Sequence, residues 1–433
     1  MLAYIGSKVK ELEKKIIGCR RDLHKHAEPG WTEFRTAAMA ITELQKLGYT
    51  IKMGEEVCKR SAMMGVPPAA ELKAQQERAI AQGANPELIK KMDGITGFTA
   101  EMKFSDGGPV MGFRVDMDSN DANESKDSDH KPAKEGFASI NAGAMHACGH
   151  DAHVAVGLAV AEIVASMKDK LKGSVRFIFQ PAEEGLRGAG PMVAAGVTKG
   201  LNYILGMHVG FQADKKGSLV CGAKGFLAST KWDVTITGLS AHAGAAPQEG
   251  HNALLAAAVA AINLHAISRH GDGVTRINVG KMIAGEGRNV VPPNAFMVME
   301  TRGATSELNN YMAGEAGRVI KAACDMYQCS HSIEVTGGTQ SGESSEEMIE
   351  IVYEAAKELP EYTDITKMKD FGAGEDYAHM MSEVQKDGGI GTYVQVGVTR
   401  MAGHHNSKFD IDEADLLPAA KLMSYVIYKV LRK

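Results

Sequence analysis

Short apolar runs recur along the chain, and each ends in polar or glycine-rich residues. PVMGFRV (109–115) leads into DMD, SVRFIFQ (174–180) into PAEEG, YILGM (203–207) into HVG, and GTYVQVGV (391–398) into TRMAGHHN. Segments of helical periodicity lie between them, at 31–47, 152–170, 190–196 and 345–358. Near-continuous apolar strands alternating with helices predict an α/β domain with a largely parallel central sheet, because strands covered on both faces lose the in–out alternation. In such sheets functional groups collect beyond the carboxyl ends of the strands. Asp116, Asp118, Glu183, Glu184, His208 and His405 all fall at such ends.

Between 223 and 337 the rhythm changes. STKWDVTITG alternates like a half-buried strand, a helix follows at 252–268, then strands TRINVGKMI and AFMVMETR, a helix at 305–325 and a last strand, SHSIEVTG. This β-α-β-β-α-β order predicts a ferredoxin-like unit. It divides the chain into a discontinuous α/β domain, 1–222 with 338–433, and an inserted domain, 223–337. Residues 55–98 fit neither unit. They are charged, helical in pattern after Pro67-Pro68, and lie between the strands of GYTIKMG and FTAEMKF. Two readings apply to this excursion: a solvated surface helix, or a wall near a site.

With 433 residues the chain is about two to three times a domain of roughly 100–200 residues, in keeping with that division. A net charge of -5 gives no electrostatic footing for nucleic acid or an acidic membrane surface. No run approaches the roughly 20 apolar residues that a membrane span needs. The N-terminal stretch reads as an amphipathic helix rather than a signal peptide. Six cysteines without framework spacing read as reduced thiols in a cytoplasm.

The densest chemistry is MHACGHDAH (145–153). Cys148 and His150, two apart, can face one point, and thiolate and imidazole are good ligands for zinc and neighbouring metals. A Cys–His nucleophilic pair and a purely structural cluster remain open for this stretch. QPAEEG adds adjacent carboxylates, Glu183 and Glu184, which repel unless water surrounds them or a cation lies between. One could ligate a metal while the other takes a proton from water. His208 and the His404–His405 pair are weak signals singly. Together these strand-end groups offer five N, S and O ligands and a spare carboxylate, which exceeds one tetrahedral zinc and points to two metals sharing ligands.

An ordered set of motifs then extends nearly end to end: RRDLHKHAEPGWTEFRTA, FRVDMDS, MHACGHDAH, FQPAEEGLRGAG, MHVG, GLSAHAGAAPQEGHNALLAAA, GRNVVPP, METRGA, GAGEDYAHMM and GHHNSKFDIDE. The set resembles the metal-dependent amidohydrolases and carboxypeptidases of the M20 peptidase group, in its aminoacylase/hippurate-hydrolase branch. The resemblance implies a metallopeptidase-type domain interrupted by a lid and dimerisation domain. It implies two divalent ions, Mn2+ or Zn2+, on Cys148, His150, Glu184, His208 and His405, with Glu183 as general base and Asp118 orienting the centre. His242 would reach a partner subunit's site, Asn289 and Arg302 would hold a substrate carboxylate, and Gly374 and Glu375 would line the pocket. The implied substrate is an N-acyl amino acid, and the subgroup matched best implies p-aminobenzoyl-glutamate. The implied assembly is a homodimer or a heterodimer with a homologous subunit, in which one chain could be a largely non-catalytic partner. Four positions depart from the wider pattern. Asp116 stands where a histidine is usual, Cys148 and His150 lie where a bridging aspartate is usual, and Gly374 replaces a common serine.

Overall fold

A computed structural model describes residues 1–433. The chain divides into two compact units, one of Met1–Lys224, Glu343–Phe371 and Asp376–Lys433, the other of Gly225–Gly342 with Gly372–Glu375. The inserted unit thus ends a few residues beyond the expected 337, because its last strand runs Ser330–Thr339. It also takes in 372–375, where the amide of Leu227 donates to the carbonyl of Ala373.

The larger unit is α/β. Its eight-stranded sheet is mixed, with a parallel centre made of Ser174–Gln180, Val110–Asp116, Tyr203–Val209 and Ile390–Val396, in that spatial order. Antiparallel strands Thr50–Met53 and Phe98–Lys103 extend one side. The four central strands therefore end at one edge, and the polar residues that follow them are neighbours. The strand containing His208 continues through Val209, so that histidine is its penultimate residue rather than one that follows it. Helix His150–Ser166 is buried almost throughout, which is why its sequence is apolar on every side. It packs against Leu2–Lys25 and Leu416–Leu431.

The expected excursion leaves and re-enters between two strands paired antiparallel, Thr50–Met53 and Phe98–Lys103. It carries helices Ala69–Ala81 and Pro86–Met92. The second starts where Asn85 caps the amide of Glu87 and Pro86 supplies the first-turn φ.

The smaller unit has the ferredoxin-like order. Its antiparallel sheet runs Ser330–Thr339, Ala228–Thr237, Asn294–Gly303, Thr275–Ala284, so first and third strands are central. Helices Ala253–His265 and Ser306–Met326 pack on it around their own apolar core.

Candidate metal centre and active site

The turn at Cys148–Gly149–His150 explains the spacing of the first two groups. Gly149 has φ +90°, and a Cβ there would lie 2.6 Å from Val209 Cγ2. Only glycine fits both the left-handed backbone and the close approach. The turn presents Cys148 just before the helix and His150 in its first turn.

Hydrogen bonds orient the histidines. A carbonyl oxygen only accepts, so a ring nitrogen facing one must carry hydrogen. His150 Nδ1 donates to the Asp118 carbonyl at 2.8 Å and His208 Nδ1 to that of Val209 at 2.8 Å. Both Nε2 atoms are left for the centre. His208 Nε2 lies 3.5 Å from Cys148 Sγ. His150 Nε2 is buried with no hydrogen-bond partner, 3.8 Å from Asp116 Oδ2 and 3.9 Å from Glu183 Oε2. Burial, with His153 and His404 beside it, holds His208 well below its ordinary pKa, in the neutral form that ligates.

The carboxylates are held by their own loop. Both carboxylate oxygens of Asp118 accept main-chain amides, Glu183 N at 3.0 Å and Glu184 N at 2.9 Å. Asp118 thus positions the glutamate pair and, through its carbonyl, His150. Ala182 has φ +48°, a strained value for a residue with Cβ, and its amide donates to Glu33 Oε1 at 2.8 Å. Glu33 Oε2 accepts from Thr96 Oγ1 at 2.5 Å. Burial, then the nearby Asp118 carboxylate, push Glu33 up to about 8.

Ligand-type atoms converge in overlapping groups within 4.8 Å: Cys148, His150 and His208; Cys148, Glu184 and His405; His150, Glu183 and Glu184. Cys148 is common to the first two. Burial and the Glu184 carboxylate push its thiol up, the opposite of what a nucleophilic cysteine needs. His405 has φ +63° and a half-exposed ring 3.3 Å from Glu184 Oε1. Its hydrogen bonds to Cys148 and Glu184 raise it to about 10. His404, its neighbour, instead stacks on Phe211.

Beneath the centre lies a polar layer. His153 donates from Nδ1 to Asp116 at 2.5 Å and accepts the Val209 amide at Nε2, so it supports rather than offers a free nitrogen. Arg114 donates to Asp116 at 2.6 Å and to Gln180 at 2.8 Å, while Gln180 donates to Asp376 at 2.6 Å. Asp376 in turn accepts the amides of Gly188 and Ala189. Glu33, Arg114, Gln180 and Asp376 are not among the candidates that the sequence pattern yields. A usable signal is there for two of them: an arginine and a glutamine inside apolar strands.

The remaining residues implied by resemblance belong to the smaller unit. His242 is exposed, and its Nδ1 accepts the amides of Gly244 and Ala245, so a neutral ring carries its proton at Nε2. Asn289 is exposed, and its carbonyl takes the Ala243 amide beside His242. Arg302 is engaged: its fork binds both carboxylate oxygens of Glu300, at 2.8 and 3.1 Å. Gly374 and Glu375 lie on the short 372–375 stretch, and Thr339 Oγ1 donates to the Glu375 carbonyl.

Residues 112–429 match the model of peptidase family M20/M25/M40. The chain is 43% identical over 418 residues to a p-aminobenzoyl-glutamate hydrolase chain of Escherichia coli (strain K12), covering 96% of each chain. It is equally 43% identical over 407 residues to indole-3-acetyl-aspartic acid hydrolase of Enterobacter agglomerans, covering 94% of this chain and 93% of the other. Among solved structures it is similar to an aminobenzoyl-glutamate utilization protein from Klebsiella pneumoniae, with TM-score 0.84, 34% identity and 97% of both chains covered. A match through most of the chain to one family, carried by hydrolases of amide-linked amino acids, makes this chain an amidohydrolase of the M20 peptidase family.

Proposed function

We propose that the chain is a metal-dependent amide hydrolase that cleaves p-aminobenzoyl-glutamate to p-aminobenzoate and glutamate. The observation that carries this reading is the convergence of buried Cys148, His150 and His208 with Glu184 and the more exposed His405 beside Glu183, the unpartnered His150 Nε2 aimed into it. Carboxylates, imidazoles and a thiol are donor types that suit divalent ions, Mn2+ or Zn2+, which Cys148, His150, Glu184, His208 and His405 would hold. When bound, the ions lower the pKa of water and polarise the scissile carbonyl.

The chain's own groups do the rest. Glu183 takes a proton from the attacking water and passes it to the leaving amine. Asp118 and Glu33 fix the loop on which Glu183 rides. His242, reaching a partner subunit's site, offers its Nε2–H to the developing oxyanion. Asn289 and Arg302 hold the amino acid's carboxylate, with Arg302 exchanging Glu300 for substrate as charge-assisted partner. Gly374 and Glu375 line the pocket. The equal likeness to an acyl-aspartate hydrolase supports a second reading in which the acyl group is indole-3-acetyl and the amino acid aspartate.

The smaller unit offers the surface for a dimer with a second copy or a homologous subunit. Helix Ala253–His265 leaves Leu255 and Ile262 exposed seven residues apart on one face, at 42% and 71%, next to the edge strand Thr275–Ala284. We also read the enzyme as cytoplasmic, supported by six cysteines that are all free thiols. No helix is long and apolar enough to cross a membrane.

The test is the purified chain alone, loaded with Mn2+ or Zn2+, assayed on p-aminobenzoyl-glutamate, indole-3-acetyl-aspartate and hippurate. Fastest turnover of the first, lost on chelation, is expected. Turnover of none of the three would leave the chain as a non-catalytic partner, against this reading.

A further inference from the structure

The 55–98 excursion reaches the loop of Glu183 and Glu184 from both of its limbs, directly at Gly65 and by way of Glu33 at Thr96. On the outgoing limb, the Met64 carbonyl accepts the Trp31 indole N–H at 2.8 Å, and the next carbonyl, Gly65 O, accepts Arg187 Nη1 at 2.9 Å. Arg187 Nε donates to the Glu184 carbonyl at 3.0 Å. Both side-chain hydrogen bonds of this arginine therefore go to main-chain carbonyls, one on the excursion and one on the carboxylate-bearing loop. Its own amide closes that loop on the Ala182 carbonyl.

The slot is built for the guanidinium. A Cβ at Gly30 would lie 2.5 Å from Arg187 Nη2 and 3.0 Å from Ala182 Cα. Trp31, fully buried, keeps a left-handed φ of +69° to place its indole under the Met64 carbonyl. The returning limb makes an independent contact: Thr96 donates to Glu33, which accepts the strained Ala182 amide. The Lys59 amide adds a further tie to the Pro191 carbonyl, on the helix that follows the loop.

We propose that Arg187 is a positioning residue, clamping the Met64–Gly65 turn onto the Ala182–Gly188 loop so that the excursion holds Glu183 and Glu184 in register. The excursion is then part of the active-site frame rather than a solvated ornament. This rests on the reading of Glu183 as the base. The planar fork matters, because an ammonium is a single point donor and does not hold two carbonyls in fixed relation.

Hydrogen exchange on the metal-free protein, with turnover and metal content of the loaded enzyme, tests the proposal. Arg187→Ala is expected to speed exchange in 57–68 and 181–188 together. It should lower kcat about 10–100-fold, the scale of an ångström-sized misplacement, with KM within about twofold and metal content unchanged. Arg187→Lys, which keeps charge and bulk, should recover part of kcat. Arg60→Ala removes a tie internal to the excursion, to Asp93, and should leave kcat unchanged. Faster exchange in only one of the two segments, or wild-type kcat in Arg187→Ala, would overturn the clamp. If the wild-type chain itself hydrolyses no acyl amino acid, the hydrolase reading fails, and the exchange experiment still decides whether Arg187 couples the segments.

Discussion

His150 and His208 each spend Nδ1–H on a main-chain carbonyl, and this commitment, more than their spacing, suits them to the ligand role proposed for them. Asp116 acts one step back, between Arg114, His153 and the approach to His150 Nε2. Loss of such supporting carboxylates costs about 10–100-fold in metal affinity. Asp116→Asn is expected to weaken metal binding by that factor, read by competition with a chromophoric chelator, while the fold persists. Arg302 makes the opposite case, a residue whose proposed role is opposed by a partner already bound. Glu300→Gln should loosen the fork and lower KM for an acyl-glutamate several-fold at unchanged kcat. A raised KM would show that Glu300 prepares Arg302 instead of competing for it.

At the scale of elements, the helix His150–Ser166 depends on its entry. Gly149→Ala meets both a left-handed backbone, costing about 1–2 kcal/mol, and the side chain of Val209. Its melting temperature should fall by several degrees, with metal content falling alongside. The first helix, Leu2–Lys25, is tied to that entry by buried charges. Arg20 Nε and His24 Nδ1 both meet Asp151 Oδ2, at 2.9 and 2.8 Å, and His24 Nε2 meets Glu124 at 2.9 Å. Burial and Arg20 act to lower His24, but Asp151 and Glu124 overcome them and its folded pKa is raised. Its contribution to stability is thus complete below the ordinary histidine value and fades as pH rises through the folded one. Asp151 and Glu124 are each lowered from the ordinary carboxylate value, so theirs is lost in acid instead. Thermal melts should show a decline on the alkaline side that His24→Gln flattens. These elements also show what the sequence discloses. Strand ends and the candidate ligands are legible because apolar runs stop abruptly at Asp116, Gln180 and His208. The supporting layer is not, because Arg114 and Asp376 meet across 262 positions and a lone arginine in an apolar strand reads only as an interruption. Arg302 is legible as a residue but not as one already paired, since Glu300 lies two positions away on the same strand face.

For the whole molecule, the two-unit division follows from a change in hydrophobic rhythm, from buried parallel strands to alternating antiparallel ones. The proposed dimer belongs to the inserted unit. Ile262→Glu should shift sedimentation toward monomer without changing the far-UV spectrum, and an unchanged sedimentation coefficient would remove that helix from the interface. The proposed metal ligands and base lie in the larger unit, where the proposal assigns one glutamate of an adjacent pair to ligation and the other to proton transfer. That assignment is tested most directly by measuring metal content and p-aminobenzoyl-glutamate turnover together for Glu183→Gln. Metal bound as in the wild type with kcat lowered about 10²–10⁴-fold is the result expected of a general base. Full turnover with metal retained would contradict it, as would loss of metal in proportion to loss of rate, which would make Glu183 a ligand.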